Sequence, residues 1–553
     1  MPKSRKMLSK SQLPLFLPLL STFSSTCADI IPAHSIGNAT WPYQTYRTTN
    51  FTPPYLSISR SPEAPPVDEC DGSSEAYLFF APLGTAFEKS PLIMSDRTGD
   101  LVWNGPNAST FGFGVQEYQG EKVLVGWTGS SFPEPIGRGN GAVAIWNKNY
   151  ELIANVTLPG DFLELAENAT YPSNIDLHEI FITEKGSMIV TANNVTAADL
   201  SEIGGSSAHW IVEAQVYEID IATNDVLFEW KSLDHLEKLP FAASVYPLGS
   251  DGFDGSNQTL AWGYFHINAA SPYLDGGYLL SSRYLASAIA LNSEGKVLWR
   301  LSGINGSDFT LGEGADFRYQ HDIRLVETSE DNSTLTLRLF DNHNSPIENN
   351  TTPSSGKLLS VDLKSNHVTL LQRFLNESGP VYPTAQGAFN PMENGNYFKG
   401  NGFIPVLEEF SPTGEILSTI QFGVANTIPS GGYVSGARGT LSYRGFKQTW
   451  VGCPTTKPSV VAEKWDEGEG VRVWVSWNGA TEVVGWRIWG GKDEGSVAVI
   501  EEVEKVGFET KVEVESVDVG YVKIEAVWRE GAEQSCAGGG DGVSDLVVVQ
   551  NGS

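Results

Sequence analysis

Thr98-Gly-Asp-Leu-Val-Trp103, Lys148-Asn-Tyr-Glu-Leu-Ile153, Thr223-Asn-Asp-Val-Leu-Phe228, Glu294-Gly-Lys-Val-Leu-Trp299, Ser365-Asn-His-Val-Thr-Leu370 and Thr413-Gly-Glu-Ile-Leu-Ser418 repeat one phrase, a tight turn and then an apolar strand. A second phrase precedes several copies, in Lys185-Gly-Ser-Met-Ile-Val190, Asp275-Gly-Gly-Tyr-Leu-Leu280 and Glu393-Asn-Gly-Asn-Tyr-Phe398. Gly, Asn and Asp supply the turn conformations, and the apolar residues that follow suit a pleated, buried strand. Paired in this way, the phrases predict successive hairpins of one four-stranded sheet, recurring every 50 to 75 residues. Such repetition in an all-β chain predicts a propeller, and six copies predict six blades.

Composition agrees. Of 553 residues, 41% are hydrophobic and only 18% charged, with 57 glycines and 11% aromatics. That mix favours short strands and many turns over long charged helices. The 66 acidic and 36 basic residues leave a net charge of -30, which repels phosphate backbones and excludes a nucleic-acid partner by general electrostatics.

The organisation expected is a signal peptide over 1–28, an irregular leader over 29–66, the propeller over 67–452, and a final β domain over 453–553. Lys3, Arg5, Lys6 and Lys10 precede the apolar Leu13–Leu20 run and small residues up to Ala28, the pattern of a secretory signal. No segment reaches a membrane-spanning length, so the reading is a secreted protein without a stable membrane anchor. Thirteen N-x-Ser/Thr sequons, at Asn38, Asn50, Asn107, Asn155, Asn168, Asn194, Asn257, Asn305, Asn332, Asn349, Asn350, Asn376 and Asn551, agree with export and a glycosylated surface. With Cys27 in the signal, Cys70, Cys453 and Cys536 remain, and Cys453 can pair with either of the others. Beyond Pro454, regular alternation such as Val471-Arg-Val-Trp-Val-Ser-Trp477 predicts an immunoglobulin- or fibronectin-like β-sandwich with a structural or docking role.

Three of the eight histidines lie in short motifs: Asp176-Leu-His-Glu-Ile180, Tyr264-Phe-His-Ile-Asn268 and Tyr319-Gln-His-Asp-Ile-Arg324. Their spacings, 88 and 55 residues, lie near the repeat and predict equivalent strands on successive blades, converging on one channel. Arg283 follows the second histidine by 17 residues, about one hairpin. Imidazoles and a guanidinium aimed at one channel suit an anion or a transferring oxyanion group. A metal joined by Glu179 and Asp322 is a weaker reading, because a cation beside a metal is unfavourable. Neither CxxC nor a Cys/His cluster at zinc spacing occurs.

At these residues the chain resembles a known family. The ordered series Asp176-x-His178-Glu179, Trp230-x-Ser-Leu-Asp-His235, Phe265-His-Ile-Asn268, Ser281-Ser-Arg283, Trp299-Arg-Leu-Ser-Gly303, Gln320-His-Asp322, Phe340-Asp-Asn342 and Gln386-Gly387 is similar to the fungal branch of the arylsulfotransferase family, related to bacterial arylsulfate sulfotransferases. Val475-Ser-Trp-Asn-Gly-Ala-Thr-Glu-Val483 is similar to it too. The resemblance implies a six-bladed propeller that moves a sulfuryl group from an aryl sulfate to a phenolic acceptor through a sulfohistidine, with neither metal nor organic cofactor. It implies His321 as nucleophile, His266 and Arg283 on the sulfuryl oxygens, His178 as the remaining catalytic histidine, and Asn268 as substrate-binding. Asp322, next to His321 in sequence, is a candidate to fix its tautomer. His235 and Trp230 are read as packing residues at a blade edge, and Phe340-Asp-Asn342 and Gln386-Gly387 fit either an approach to the channel or turn geometry equally well. Two other classes stand beside this one. One is a non-catalytic secreted propeller whose channel face binds a glycan, a phenolic compound or a protein. The other is a propeller dehydrogenase with a quinone or metal cofactor, suggested by the Trp-bearing repeats.

Overall fold

All six copies of the turn–strand phrase fall on the fourth strand of a four-stranded antiparallel unit, counted outward from the interior. These strands are Leu101–Asn104, Leu152–Val156, Val226–Lys231, Val297–Ser302, His367–Phe374 and Ile416–Gln421. The computed structural model describes residues 41–551 except 63, 65–75, 85–88, 133–136, 167–168, 305–306, 346–351, 428–432, 435–438, 466–469, 516–517 and 537. Residues 1–40, which hold the signal with Cys27 and the first part of the leader, and Cys70 therefore lie outside the described residues. The chain is all-β: among those residues one four-residue α-helix occurs, Ala532–Ser535, beside short 3-10 turns. No described helix is long and apolar enough to cross a membrane.

The first strands of the six units are Thr110–Tyr118, Ile175–Ile182, Ile267–Pro272, His321–Thr328, Ala388–Pro391 and Gly445–Gln448. Each contacts the next, and the last contacts the first, so they close a ring. Two pairings across the sequence complete the sheets. Gly445–Gln448 adds to Tyr77–Phe80 near the start, and Ser57–Arg60 adds outside Ile416–Gln421. The leader, expected to be irregular, thus supplies a strand, because an edge whose backbone groups would otherwise lie open takes it up.

Beyond Cys453, seven strands form two sheets that share one hydrophobic cluster. In Val471–Ser476, Val471, Val473 and Val475 face that cluster while Arg472 and Trp474 face outward, as period-2 alternation requires. Of the open disulfide pairings the structure holds Cys453–Cys536. Tyr150 fastens this region to the first: its hydroxyl donates to the Gly479 carbonyl at 2.9 Å and accepts from Trp450 Nε1 at 3.1 Å, and its ring stacks on Trp103 at 4.9 Å.

One joint sets the strand that will matter most. Trp127 is fully buried, and its indole N–H donates to the Ile175 carbonyl at 2.8 Å. Gly129, Gly139 and Gly141 let the ring lie flat on the neighbouring backbone; a Cβ there would sit 2.9, 2.8 and 2.7 Å from ring carbons. Gly141 also pairs with Ile175, joining the second and third units in one continuous sheet. Trp127→Ala is expected to lower stability by about 3–5 kcal/mol, as large-to-small changes at a closed core site do. Urea unfolding followed by circular dichroism checks this, and a loss below about 1 kcal/mol would contradict the role assigned to the joint.

Candidate functional site

His178 lies on Ile175–Ile182, His266 immediately precedes Ile267–Pro272, and His321 opens His321–Thr328. Two of the three thus lie on first strands and His266 directly adjoins one, in successive units. With Arg283 they line one cavity of about 180 Å³. Its other polar walls include Tyr443 and Gln386, and Leu83, Phe111, Phe132, Phe403 and Leu441 supply an apolar side. The His178 and His266 rings meet edge to face at 5.0 Å, and Tyr443 stands 5.6 Å from His178 and 6.5 Å from His321.

The backbone here is unusual. His266, Ala286, Tyr319, Asp322 and Gln386 all have φ between 45° and 65°, a region side chains with a Cβ seldom adopt. Such strain persists only where the surroundings over-determine it, and it tends to gather at functional sites.

His321 is held in one tautomer. Asn342 Nδ2 donates to the Gln386 carbonyl at 2.9 Å, which turns Asn342 Oδ1 toward His321 Nδ1 at 2.7 Å. An amide oxygen can only accept, so Nδ1 carries the hydrogen and Nε2 keeps its lone pair. The backbone N–H of Gln386 points at Nε2 from 3.3 Å. Burial first, and the Arg283 guanidinium second, hold His321 well below the ordinary imidazole value. At neutral pH it is therefore an uncharged base whose unprotonated Nε2, accepting from the Gln386 N–H, lies at the cavity.

His178 is set differently. Its Nδ1 is hydrogen-bonded to Asp176 Oδ2; the same carboxylate accepts from Gly139 N at 2.9 Å and from the Thr191 hydroxyl at 3.3 Å. His178 Nε2 is left to the cavity. His266 Nδ1 is buried without a hydrogen-bond partner among the described residues, and burial, then His178 and Arg138, push its pKa well below the usual value. Arg283 donates to the Thr384 carbonyl at 2.9 Å and lies over the Tyr284 and Tyr319 rings. The Tyr443 hydroxyl, buried and without a partner among the described residues, is kept protonated because burial raises its pKa.

Two expectations need correction. Asn268 is absent from the cavity wall; its Nδ2 donates to the Gln320 carbonyl at 2.6 Å, so it braces the residue before His321 from behind. Asp322 does not orient His321. Neighbouring residues of a strand point to opposite sides, and the Asp322 carboxylate turns away to Arg338 at 2.7 Å and Arg324 at 3.0 Å. Glu179, next to His178, does the same, meeting Arg324 at 2.7 Å and Arg444 at 3.0 Å. Burial alone would raise both carboxyls, but the guanidinium charges outweigh it and hold both below the usual range. The Asn342 orienter comes from the Phe340-Asp-Asn342 motif, for which the sequence leaves channel and turn equally open, and Tyr443 lies in no motif at all. Among the described residues no group of three or more His, Cys, Asp or Glu is arranged to hold a metal.

A model of the family described as arylsulfotransferase (ASST) matches residues 114–423. No curated protein matches the chain. Among solved structures, a protein of unknown function from Bacteroides caccae aligns at 10% identity and TM-score 0.36, over 68% of this chain and 99% of its own. A Lactobacillus plantarum protein aligns at 12% and 0.30, over 80% and 100%. A xylan beta-1,4-xylosidase from Bacillus halodurans aligns at 10% and 0.28, over 76% and 86%. Likeness at that level carries nothing about activity.

Because His266 and His321 are buried uncharged, the unfolded chain binds protons below about pH 6.5 that the folded chain refuses. Their contribution to stability is present above that pH and is lost as pH falls toward the depressed folded values. Glu164, pushed up to about 7 by burial, titrates with the opposite sign in this window, so variants are compared with the parent. The unfolding midpoint of His266→Gln is expected to fall less between pH 7 and pH 5 than that of the parent chain. Equal falls would contradict a neutral, buried His266.

Proposed function

For a chain that belongs to the arylsulfotransferase family, we propose a secreted enzyme that moves a sulfuryl group from an aryl sulfate to a phenol through His321. The observation that carries this reading is the Asn342–His321 hydrogen bond, which leaves an uncharged Nε2 aimed into a cavity shared with Arg283, His266 and His178. A neutral imidazole with an unprotonated nitrogen is a competent nucleophile once the Gln386 N–H on that nitrogen gives way to the substrate.

The fold supports it. We read the six units as blades of a propeller over 67–452, whose first strands surround the channel, and the two sheets over 453–553 as an immunoglobulin- or fibronectin-like sandwich. The closed ring of first strands and the shared core of the last seven strands are the observations behind these two readings. A disulfide between Cys453 and Cys536 suits an oxidising compartment, as secretion with removal of 1–28 requires.

In the first half-reaction His321 Nε2 attacks sulfur, the N–S bond forms, and the S–O bond to the aryl group breaks. Arg283, His266 and Tyr443 donate toward the sulfuryl oxygens as charge builds, in a site where burial makes such donors strong. The Gln386 N–H, already facing Nε2, meets an oxygen of the bound group. The aryl ring lies against Phe111, Phe132 and Leu441. His178 gives a proton to the leaving phenolate and recovers one from the acceptor phenol in the second half, with Asp176 holding its Nδ1 hydrogen. The acceptor oxygen then takes the sulfuryl group, restoring His321. Sulfuryl transfer resembles phosphoryl transfer in resting on positioning and on donors to the peripheral oxygens. No metal or organic cofactor enters the scheme.

Purified protein incubated with a chromogenic aryl sulfate and a phenol is expected to release phenolate at a rate that rises with acceptor, with parallel double-reciprocal plots. His321→Ala should lower that rate at least 10³-fold, a magnitude in keeping with loss of a nucleophile. Release independent of acceptor would mean hydrolysis, and no release from any aryl sulfate would favour a binding role for the channel. Secretion is checked at the surface. Asn107, Asn155, Asn257 and Asn332 are exposed, whereas Asn376 is only 7% exposed. Glycopeptide mapping of exported protein should find glycans within the first group and none on Asn376; a chain without glycans would contradict passage through a glycosylating secretory route.

A further inference from the structure

The strands that bring the histidines to the chamber carry other side chains out of its floor. Phe111, His178, His321 and Tyr443 line the chamber, while the next residues in sequence, Gly112, Glu179, Asp322 and Arg444, line a second cavity of about 290 Å³. The two cavities have no lining residue in common. Between them runs an alternating chain of buried charges, Arg338–Asp322–Arg324–Glu179–Arg444.

The ends of that chain are both cationic, so its three guanidinium groups exceed its two carboxylates by one positive charge. Each carboxylate is already held by two arginines. Lys447, at the rim, is engaged by Asp96 at 2.7 Å and Glu409 at 2.8 Å. Donors also remain. Arg444 is 6% exposed, and its Nε has no hydrogen-bond partner among the described residues. Asn390 Nδ2, on the same wall, is also buried without one. A buried donor without an acceptor costs about 1–3 kcal/mol, a cost that a bound acceptor removes. Burial, together with the neighbouring Arg324, presses Arg338 below the usual guanidinium value despite Asp322 beside it.

We propose that this second cavity binds an oxyanion, a group of the sulfate, phosphate or carboxylate kind, held by Arg338, Arg324, Arg444 and Asn390. A planar guanidinium presents paired N–H groups to such an anion, and the excess positive charge has nothing else to balance it within the layer. The site is separate from the chamber but joined to it. Arg444 donates to the His178 carbonyl at 3.0 Å, and Arg338 holds the carboxylate of the residue that follows His321. An anion drawing on those two arginines acts on the backbone that carries both histidines.

Titration calorimetry with inorganic sulfate, at constant ionic strength set by chloride, tests this in the full chain. Arg283→Met removes the chamber's guanidinium and isolates the second site. That variant is expected to bind one sulfate with Kd below about 1 mM, a threshold of roughly 4 kcal/mol. Adding Asn390→Asp, which puts a carboxylate where a donor stands, should weaken that binding at least tenfold while the unfolding midpoint stays within a few degrees. Sulfate bound by the parent but not by Arg283→Met would confine anion binding to the chamber and overturn the proposal. So would equal affinity in Arg283→Met and the double variant. A parent chain that binds only the one sulfate retained by Arg283→Met, with none in the chamber, would count against the sulfuryl-transfer reading alone.

Discussion

The buried layer Arg338–Asp322–Arg324–Glu179–Arg444 is the constraint on which the site depends, because it determines which way the inner strands face. Two of its members follow chamber histidines directly in sequence, so each His–acid pair can satisfy the layer in only one register. A slip of one residue would send the carboxylates into the chamber and the imidazoles into the guanidinium groups. Buried ion pairs are weak evidence for net stability, since desolvation offsets much of their attraction. Removing one partner is another matter: it leaves a buried charge exposed to no compensating group, at about 3–5 kcal/mol. The layer thus specifies one arrangement more than it strengthens the fold. The Trp127 joint does the complementary work, seating the start of the His178 strand by shape and a single hydrogen bond.

Above that layer the chemistry rests on which atoms carry hydrogens. The same residue type is set in two ways: Asn342 holds His321 without contributing charge, while Asp176 holds His178 with a carboxylate. Burial keeps His321 uncharged, and Arg283 reinforces this by disfavouring the imidazolium. The Asn342 hydrogen bond, which alone would raise the pKa, fixes the tautomer without adding charge. The two supports differ in one atom, oxygen in place of nitrogen, and the roles we propose for the two histidines rest on that difference.

Much of this was legible in the sequence. The six turn–strand phrases carry the architecture because turn residues and apolar strands must recur wherever the same hairpin recurs, and they mark the fourth strands throughout. The three His motifs and Arg283 converge as their spacing predicts. What escaped has a common cause. Asn342 reaches His321 across 21 residues and Tyr443 closes the chamber from just before Gly445–Gln448, the strand paired with Tyr77–Phe80, so neither is near its partners in sequence. Asp322 misled through adjacency, since strand geometry separates neighbours that a linear reading puts together. Asn268 sits in a motif with His266 yet serves the backbone of Gln320, a contact that only folding reveals. The strand at Ser57–Arg60 likewise lacks any local signature, because what recruits it is an open edge more than 350 residues away.

The central claim is that His321 Nε2 takes the sulfuryl group, and the most direct test is to trap it there. Protein mixed briefly with an aryl [35S]sulfate in the absence of acceptor, quenched in alkali and digested, is predicted to carry label on the peptide that contains His321. The label should leave on adding a phenol and should be lost in His321→Ala. Label on another peptide, or transfer to acceptor with no labelled protein at any quench time, would contradict the account.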